Sequence, residues 1–236
     1  MEKMNRRDFL FSLGLLLAGV KISLNEIDKY NSHKELLKKE ENLRGIYNEL
    51  PNYVHLTKCY SEEDNIQQNA LGIIVNKHYL TMGHIFFNPT INNPQVILNG
   101  KNLEMIISTL SEAVIKGGDV VVNEDFAICK LPEDLNLPDF PCKPSSEISL
   151  GEDVYLIGNP RLMGCNIRQG KITDLDGLTI EDQTSKSLFG TDINIVPGDS
   201  GCPVVNSNFE LLGLCSARVF GHFSYIVRIG EFLKYL

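Results

Sequence analysis

From Pro51 onward the chain breaks into short apolar runs separated by turn residues, and this spacing constrains the fold more than any other feature. Candidate strands occupy residues 54–60, 72–75, 79–82, 96–98, 103–107, 120–122, 126–131, 154–157, 171–175, 203–205 and 211–215. Many short runs at such intervals, with few helical patterns between them, indicate a barrel or a sandwich. Asn99-Gly100 between two apolar runs is a hairpin signal, because both residues tolerate a positive φ. The end of the chain is the exception. Ile229, Phe232, Leu233 and Leu236 fall at i, i+3, i+4 and i+7, one face of a short C-terminal helix expected to pack on the last barrel.

Composition narrows the partners. With 43% hydrophobic and 22% charged residues in 236, the chain is of ordinary globular type and can bury a full core. A formal charge of -8 argues against a nucleic-acid binder, which would need a basic face to follow phosphates. The six cysteines (59, 129, 142, 165, 202 and 215) form no Cys-x-x-Cys pair, so a zinc site of the usual spacing is not expected. Most of them are read as small apolar core residues. No cofactor and no metal are expected.

Residues 1–24 read as an address. Lys3, Arg6 and Arg7 precede twelve uncharged residues, 9–20, a run shorter than the ~20 residues that span a membrane. Asn5-Arg6-Arg7-Asp8-Phe9-Leu10 resembles the twin-arginine export motif. No clean Ala-x-Ala cleavage site follows, so an uncleaved leader would leave the chain attached to the membrane. Residues 25–50 are charge-dense, with apolar positions at rough helical spacing, and are expected to form a helical spacer that Pro51 ends.

Three short motifs carry chemistry. In Pro197-Gly198-Asp199-Ser200-Gly201-Cys202-Pro203, a serine in a glycine-flanked turn exposes its hydroxyl and leaves backbone N–H groups free to converge on one point. The bland alternative is a plain inter-strand turn. In Tyr79-Leu80-Thr81-Met82-Gly83-His84, an apolar run ends on a histidine; of five histidines (33, 55, 78, 84 and 222), His84 alone has this context. A lone histidine at a strand end is more often structural. In Asp125-Phe126-Ala127-Ile128-Cys129-Lys130-Leu131 an acid starts a buried strand, with Asp119 and Glu124 as nearby competitors.

Together, in the order His, Asp, Ser, these motifs resemble the trypsin-like (chymotrypsin-fold) serine peptidases. They are most similar to the bacterial branch with the HtrA/Deg peptidase domain. Tyr-Leu-Thr-Met-Gly-His resembles that branch's Leu-Thr-x-Ala-His, and Asp-Phe-Ala-Ile-Cys-Lys-Leu resembles Asp-Leu-Ala-Leu-Leu-Lys-Leu. The stretch from Asp192 to Gly201 resembles Asp-x-x-Ile-x-Pro-Gly-Asn-Ser-Gly, and Ile157-Gly158-Asn159-Pro160 resembles the Gly-Asn-Pro turn between the Asp and Ser motifs. The likeness covers roughly residues 51–236. Gly83 stands where the family usually has Ala, and Cys202 where it usually has Gly.

The resemblance implies an all-β fold of two six-stranded antiparallel β-barrels with a short C-terminal helix. It implies Ser200 as nucleophile, His84 as general base and acid, Asp125 as orienting acid, and the N–H groups of Gly198 and Ser200 as the oxyanion hole. Asn194, six residues before Ser200, takes the place of a charged specificity residue, and Leu214-Cys215-Ser216-Ala217 would wall the pocket. A neutral P1 pocket is therefore expected. Activation by an inserted new amino terminus and regulation by a following PDZ domain are not expected. The implied protein is an exported serine endopeptidase acting on polypeptides in the periplasm or at the cell surface. The alternative is a catalytically silent or latent protease-fold binding module. A structural barrel with coincidental motifs would need four coincidences in order.

Overall fold

The computed structural model describes residues 53–60, 67–86, 95–110, 114–116, 119–121, 124–158, 166–175, 179–180, 183–184, 186–219 and 223–236, together with Lys34, Glu41, Gly45 and Glu49. The leader at 1–24 lies outside them. Of the spacer at 25–50, the four described residues are helical, and so is Tyr53, so Pro51 does not mark the end of helical residues as expected. Both barrels belong to the unit Tyr47–Leu236.

The first barrel uses β1 (Val54–Tyr60), β2 (Gln67–Val75), β3 (His78–Thr81), β4 (Gln95–Leu98), β5 (Lys101–Leu110) and, after the separate hairpin β6 (Val114–Lys116) and β7 (Asp119–Val121), β8 (Asp125–Lys130). Its closed order is β1-β2-β3-β8-β5-β4. The second barrel uses β9 (Asp153–Gly158) and β10 (Asn166–Asp174). After the small hairpin β11 (Thr179–Ile180) and β12 (Gln183–Thr184), it adds β13 (Leu188–Thr191), β14 (Pro203–Asn206), β15 (Leu211–Val219) and β16 (Phe223–Arg228). It closes as β10-β13-β16-β15-β14-β9. Every pairing within the two barrels is antiparallel. This is the two-barrel, all-β architecture expected, and closure removes the exposed strand edges that invite aggregation.

Turn chemistry fixes the registers. Asn99 and Gly100 sit at φ 50° and 76° and join Leu98 to its partner Lys101, as the hairpin signal requires. Asn76 and Lys77, at φ 50° and 63°, make a second two-residue hairpin that aligns Val75 with His78. Lysine at such a φ is uncommon, and its turn has no sequence signature. In β5 a bulge between Met105 and Ile107 turns Ile106 outward, which explains a 44% exposed isoleucine in a core strand.

Each barrel buries its own apolar interior. Ile73, Tyr79, Leu80 and Ile128 are fully buried in the first, as are Leu156, Val204, Leu214 and Ile226 in the second. The Tyr79 hydroxyl bonds Thr57 at 3.0 Å and donates to the His55 carbonyl at 3.3 Å. β8 is buried at five consecutive residues, Asp125 to Cys129, because it is covered on both faces. One cover is the C-terminal helix (Ile229–Leu233), whose Phe232 ring lies 5.3 Å from the Phe126 ring.

That helix corrects one expectation and extends another. Only Ile229 and Phe232 are buried, while Leu233 and Leu236 are 39% and 36% exposed, so the apolar face is narrower than its spacing suggested. It also packs on β8 of the first barrel as well as on β15 and β16, and so ties the barrels together. The strands β13 and β16 were not read from the sequence. Gly190 inside β13 reads as a breaker, yet a Cβ there would lie 2.9 Å from the Asp174 Cβ, so the glycine admits β10. The run of β16 passes straight into the helix with no turn residue to mark its end.

The five described cysteines (59, 129, 142, 202 and 215) are buried and form no disulfide with one another, as small core residues. Burial pushes the Cys59 thiol up to about 11 and those of Cys129 and Cys142 to about 12, so these three remain protonated near neutrality.

His55 carries a pH dependence. It is buried, its Nε2 has no partner among the described residues, and burial holds its pKa below the ordinary 6.5. Above pH 6.5 it is neutral folded and unfolded; below that value the unfolded chain takes the proton more readily, so stability falls. Urea midpoints should therefore drop as pH is lowered from 7 through about 6. His55→Leu should flatten that drop.

Candidate active site

His84, Asp125 and Ser200 come from three separate elements that meet where the barrels face each other. β3 ends at Thr81, and the chain turns through a 3-10 segment, Gly83–Ile85, that carries His84. A Cβ at Gly83 would lie 2.1 Å from the Thr109 carbonyl oxygen and 3.1 Å from the Phe126 backbone. The backbone packs so closely here that an alanine would have to push it aside.

Asp125 opens β8 and is 1% exposed at its side chain. Its carboxylate accepts three hydrogen bonds. The His84 backbone N–H donates to Oδ1 at 2.7 Å, His84 Nδ1 lies 2.7 Å from Oδ2, and the Ser216 hydroxyl also donates to Oδ2. Burial alone would raise the Asp125 pKa, but hydrogen bonding and attraction from His84, with the Ser216 hydroxyl, hold it below the usual carboxylate value. An ionised acid therefore faces Nδ1, which fixes the proton there and leaves Nε2 as the acceptor. The ring is 37% exposed, so that nitrogen can meet a substrate.

Ser200 lies in the turn before β14. Its hydroxyl donates to the Ser216 carbonyl oxygen at 3.3 Å. Among the described residues, that is its hydrogen bond at rest, and none runs to His84. Ser216 thus contacts both Asp125 and Ser200, a role that reading it as a pocket wall missed. Nothing in a lone serine on an apolar strand signals it.

The turn is built on two glycines at positive φ, Gly198 at 99° and Gly201 at 84°. A Cβ on Gly201 would lie 1.7 Å from the Leu71 carbonyl oxygen, so the nucleophile turn docks directly on the first barrel. Three of its N–H groups are engaged: Asp199 donates to Val196 at 3.1 Å, Gly201 to Cys215 at 2.8 Å and Cys202 to Asp199 at 2.9 Å. Among the described residues the N–H groups of Gly198 and Ser200 meet no acceptor. They are the two that the sequence nominated for an oxyanion.

The expected specificity residues are less assembled. Asn194 is exposed, and its carbonyl oxygen accepts from Arg168 Nη1 at 2.8 Å. Cys215 is fully buried, with its thiol raised well above the ordinary range by burial, so its side chain belongs to the core. The side chain of Ala217, and Asn159-Pro160, lie outside the described residues. Arg168, which also pairs with Asp199, carried no signal in the sequence. Among the described residues no three His, Cys, Asp or Glu side chains cluster as a metal would need.

A two-barrel fold with this constellation defines a class, and comparison with known proteins agrees. A family model for the trypsin-like peptidase domain matches residues 70–214, and the chain belongs to that family. It is 29% identical over 164 residues to the serine endoprotease DegS of Haemophilus influenzae, covering 67% of this chain and 45% of that one. It is 28% identical over 166 residues to a "Probable periplasmic serine endoprotease DegP-like" of Buchnera aphidicola, covering 69% and 33%. The chain thus spans less than half the length of these relatives. In fold it is similar to the HtrA-type protease AlgW with tripeptide, at TM-score 0.56 and 21% identity over 78% of this chain and 58% of that one. It is also similar to the active form of the Rv3671c protease from M. tuberculosis, at TM-score 0.54 and 19% identity over 78% and 79%.

Gly83→Ala installs the alanine of the resembled motif and should nevertheless destabilise this chain by about 1–3 kcal/mol through overpacking. Urea unfolding measures it; an unchanged midpoint would show that the backbone gives way.

Proposed function

We propose that this chain is an exported serine endopeptidase whose peptidase domain is residues 51–236. The observation that carries the reading is the double attachment of His84 to the buried Asp125, by main chain and by ring. Such an imidazole is held in one tautomer and one orientation before substrate arrives. Ser200 Oγ attacks the scissile carbonyl while His84 Nε2 takes its proton. The N–H groups of Gly198 and Ser200 receive the oxyanion, each such donor being worth about 2.7–4 kcal/mol in the transition state. His84 then protonates the leaving amine, the acyl-enzyme forms on Ser200, and water repeats the sequence in reverse. Asp125 stays ionised and stabilises the imidazolium.

Asn194 and Ser216 offer no charge to a P1 side chain, which favours a neutral one. The leader at 1–24 and the periplasmic relative support export across a bacterial inner membrane, with attachment there if the leader stays uncleaved. Among the described residues no helix is long and apolar enough to cross a membrane. A latent or silent binding module is the second reading. It is favoured by the Ser200 hydroxyl resting on Ser216 rather than on His84. Catalytic hydrogen bonds are often loose before substrate binds, which keeps the enzyme reading ahead.

Labelling of the full chain with a fluorophosphonate probe separates the two. The wild type should label, and Ser200→Ala and His84→Ala should not. Asp125→Asn should slow peptide hydrolysis by about three to four orders of magnitude. No labelling of a folded wild type would support the latent module. A cleavage profile on a peptide library should favour neutral P1 residues, and one dominated by Arg, Lys or Glu would refute the neutral pocket.

A further inference from the structure

The oxyanion turn is braced from a neighbouring strand. Arg168, on β10, reaches the loop that leads to Ser200 and holds it at two points. Its Nη1 donates to the Asn194 carbonyl oxygen at 2.8 Å, and its Nη2 pairs with Asp199 Oδ1. The other oxygen of Asp199 accepts the Val196 N–H at 2.7 Å. The carboxylate is 1% exposed and the guanidinium side chain 21%, so the pair is largely shielded from water and salt. Arg168 Nε is buried without a partner among the described residues, a cost that two firm contacts at its other nitrogens must offset.

Gly158 at the end of β9, opposite Asn166 on β10, completes the arrangement. A Cβ there would lie 2.5 Å from Arg168 Nη2 and 2.8 Å from Asp199 Oδ1, so the glycine leaves the pair room that a larger residue would take. The Asp199 carbonyl oxygen accepts the Cys202 N–H at 2.9 Å. In a trans peptide the following N–H points the opposite way, so the orientation of Asp199 decides where the Ser200 N–H is aimed.

We propose that Arg168 is a positioning residue. By pairing with Asp199 and holding Asn194, it keeps the 194–200 loop in the shape that presents the Gly198 and Ser200 N–H groups to an oxyanion. Its catalytic consequence rests on the serine peptidase reading; its structural consequence does not. An internal cation thus holds the turn without any newly released amino terminus.

The test compares the full-length wild type with Arg168→Met, Arg168→Lys and the double variant Arg168→Met with Asp199→Asn. Hydrogen exchange reports residues 194–202, and fluorophosphonate labelling and peptide hydrolysis report function. Arg168→Met should raise exchange in that segment, with the barrel strands unchanged. It should slow labelling by at least about tenfold and lower kcat with little change in KM, as loss of transition-state positioning does. Arg168→Lys, a point charge without the fork, should fall between. The double variant should label faster than Arg168→Met, because no carboxylate is left buried without its cation. If Arg168→Met fails to fold, the other two variants carry the comparison. Exchange and labelling within about twofold of wild type would overturn the proposal. If the wild type does not label at all, the peptidase reading fails alone, and exchange in 194–202 still decides the role of Arg168.

Discussion

The buried carboxylate of Asp125 is the interaction on which the rest of the arrangement depends. A charge that is 1% exposed is costly unless it is paired and fully hydrogen-bonded. Three donors meet that requirement here, and they come from both barrels: two from His84 after β3 and one from Ser216 on β15. The same bonds that make the burial tolerable orient the imidazole and bring β15 against the first barrel. Phe126, the next residue, packs its ring at a tilt against Phe232 of the C-terminal helix, so the last helix of the chain covers the strand that begins with the acid.

Close backbone approach is the second constraint. Gly83, Gly158 and Gly201 sit where a Cβ would meet atoms at 2.1, 2.5 and 1.7 Å respectively. Each lies beside the candidate site: under the histidine, behind the Arg168–Asp199 pair, and at the turn against Leu71. Gly201 lets the nucleophile turn dock on the first barrel, Gly83 lets the histidine segment close on β5 and β8, and Gly158 leaves room for the Arg168–Asp199 pair. This accounts for Gly83 where relatives of the resembled branch keep alanine. It also gives the Gly-Asn-Pro stretch a physical reason for its first residue.

Much of this was legible in the sequence, because its signals are local. Short apolar runs between turn residues marked most strands, Asn99-Gly100 marked a hairpin, and three ordered motifs marked His84, Asp125 and Ser200. What was not legible depends on partners distant in sequence. Arg168 and Asp199 are 31 residues apart, and Ser216 and Asp125 are 91 apart; nothing local to either pair announces the contact. β13 was hidden by a glycine that serves packing, and β16 by the absence of any turn before the helix. The exposure of Leu233 and Leu236 shows the opposite failure, a good helical spacing that tertiary packing uses only in part.

The most direct test of the central claim is the tautomer of His84, read by nitrogen-15 NMR of the histidine-labelled full chain near neutral pH. The account predicts that neutral His84 carries its proton on Nδ1, hydrogen-bonded to Asp125, and that Asp125→Asn disturbs this state. A proton resting on Nε2 in the folded wild type, or a ring unaffected by Asp125→Asn, would contradict it.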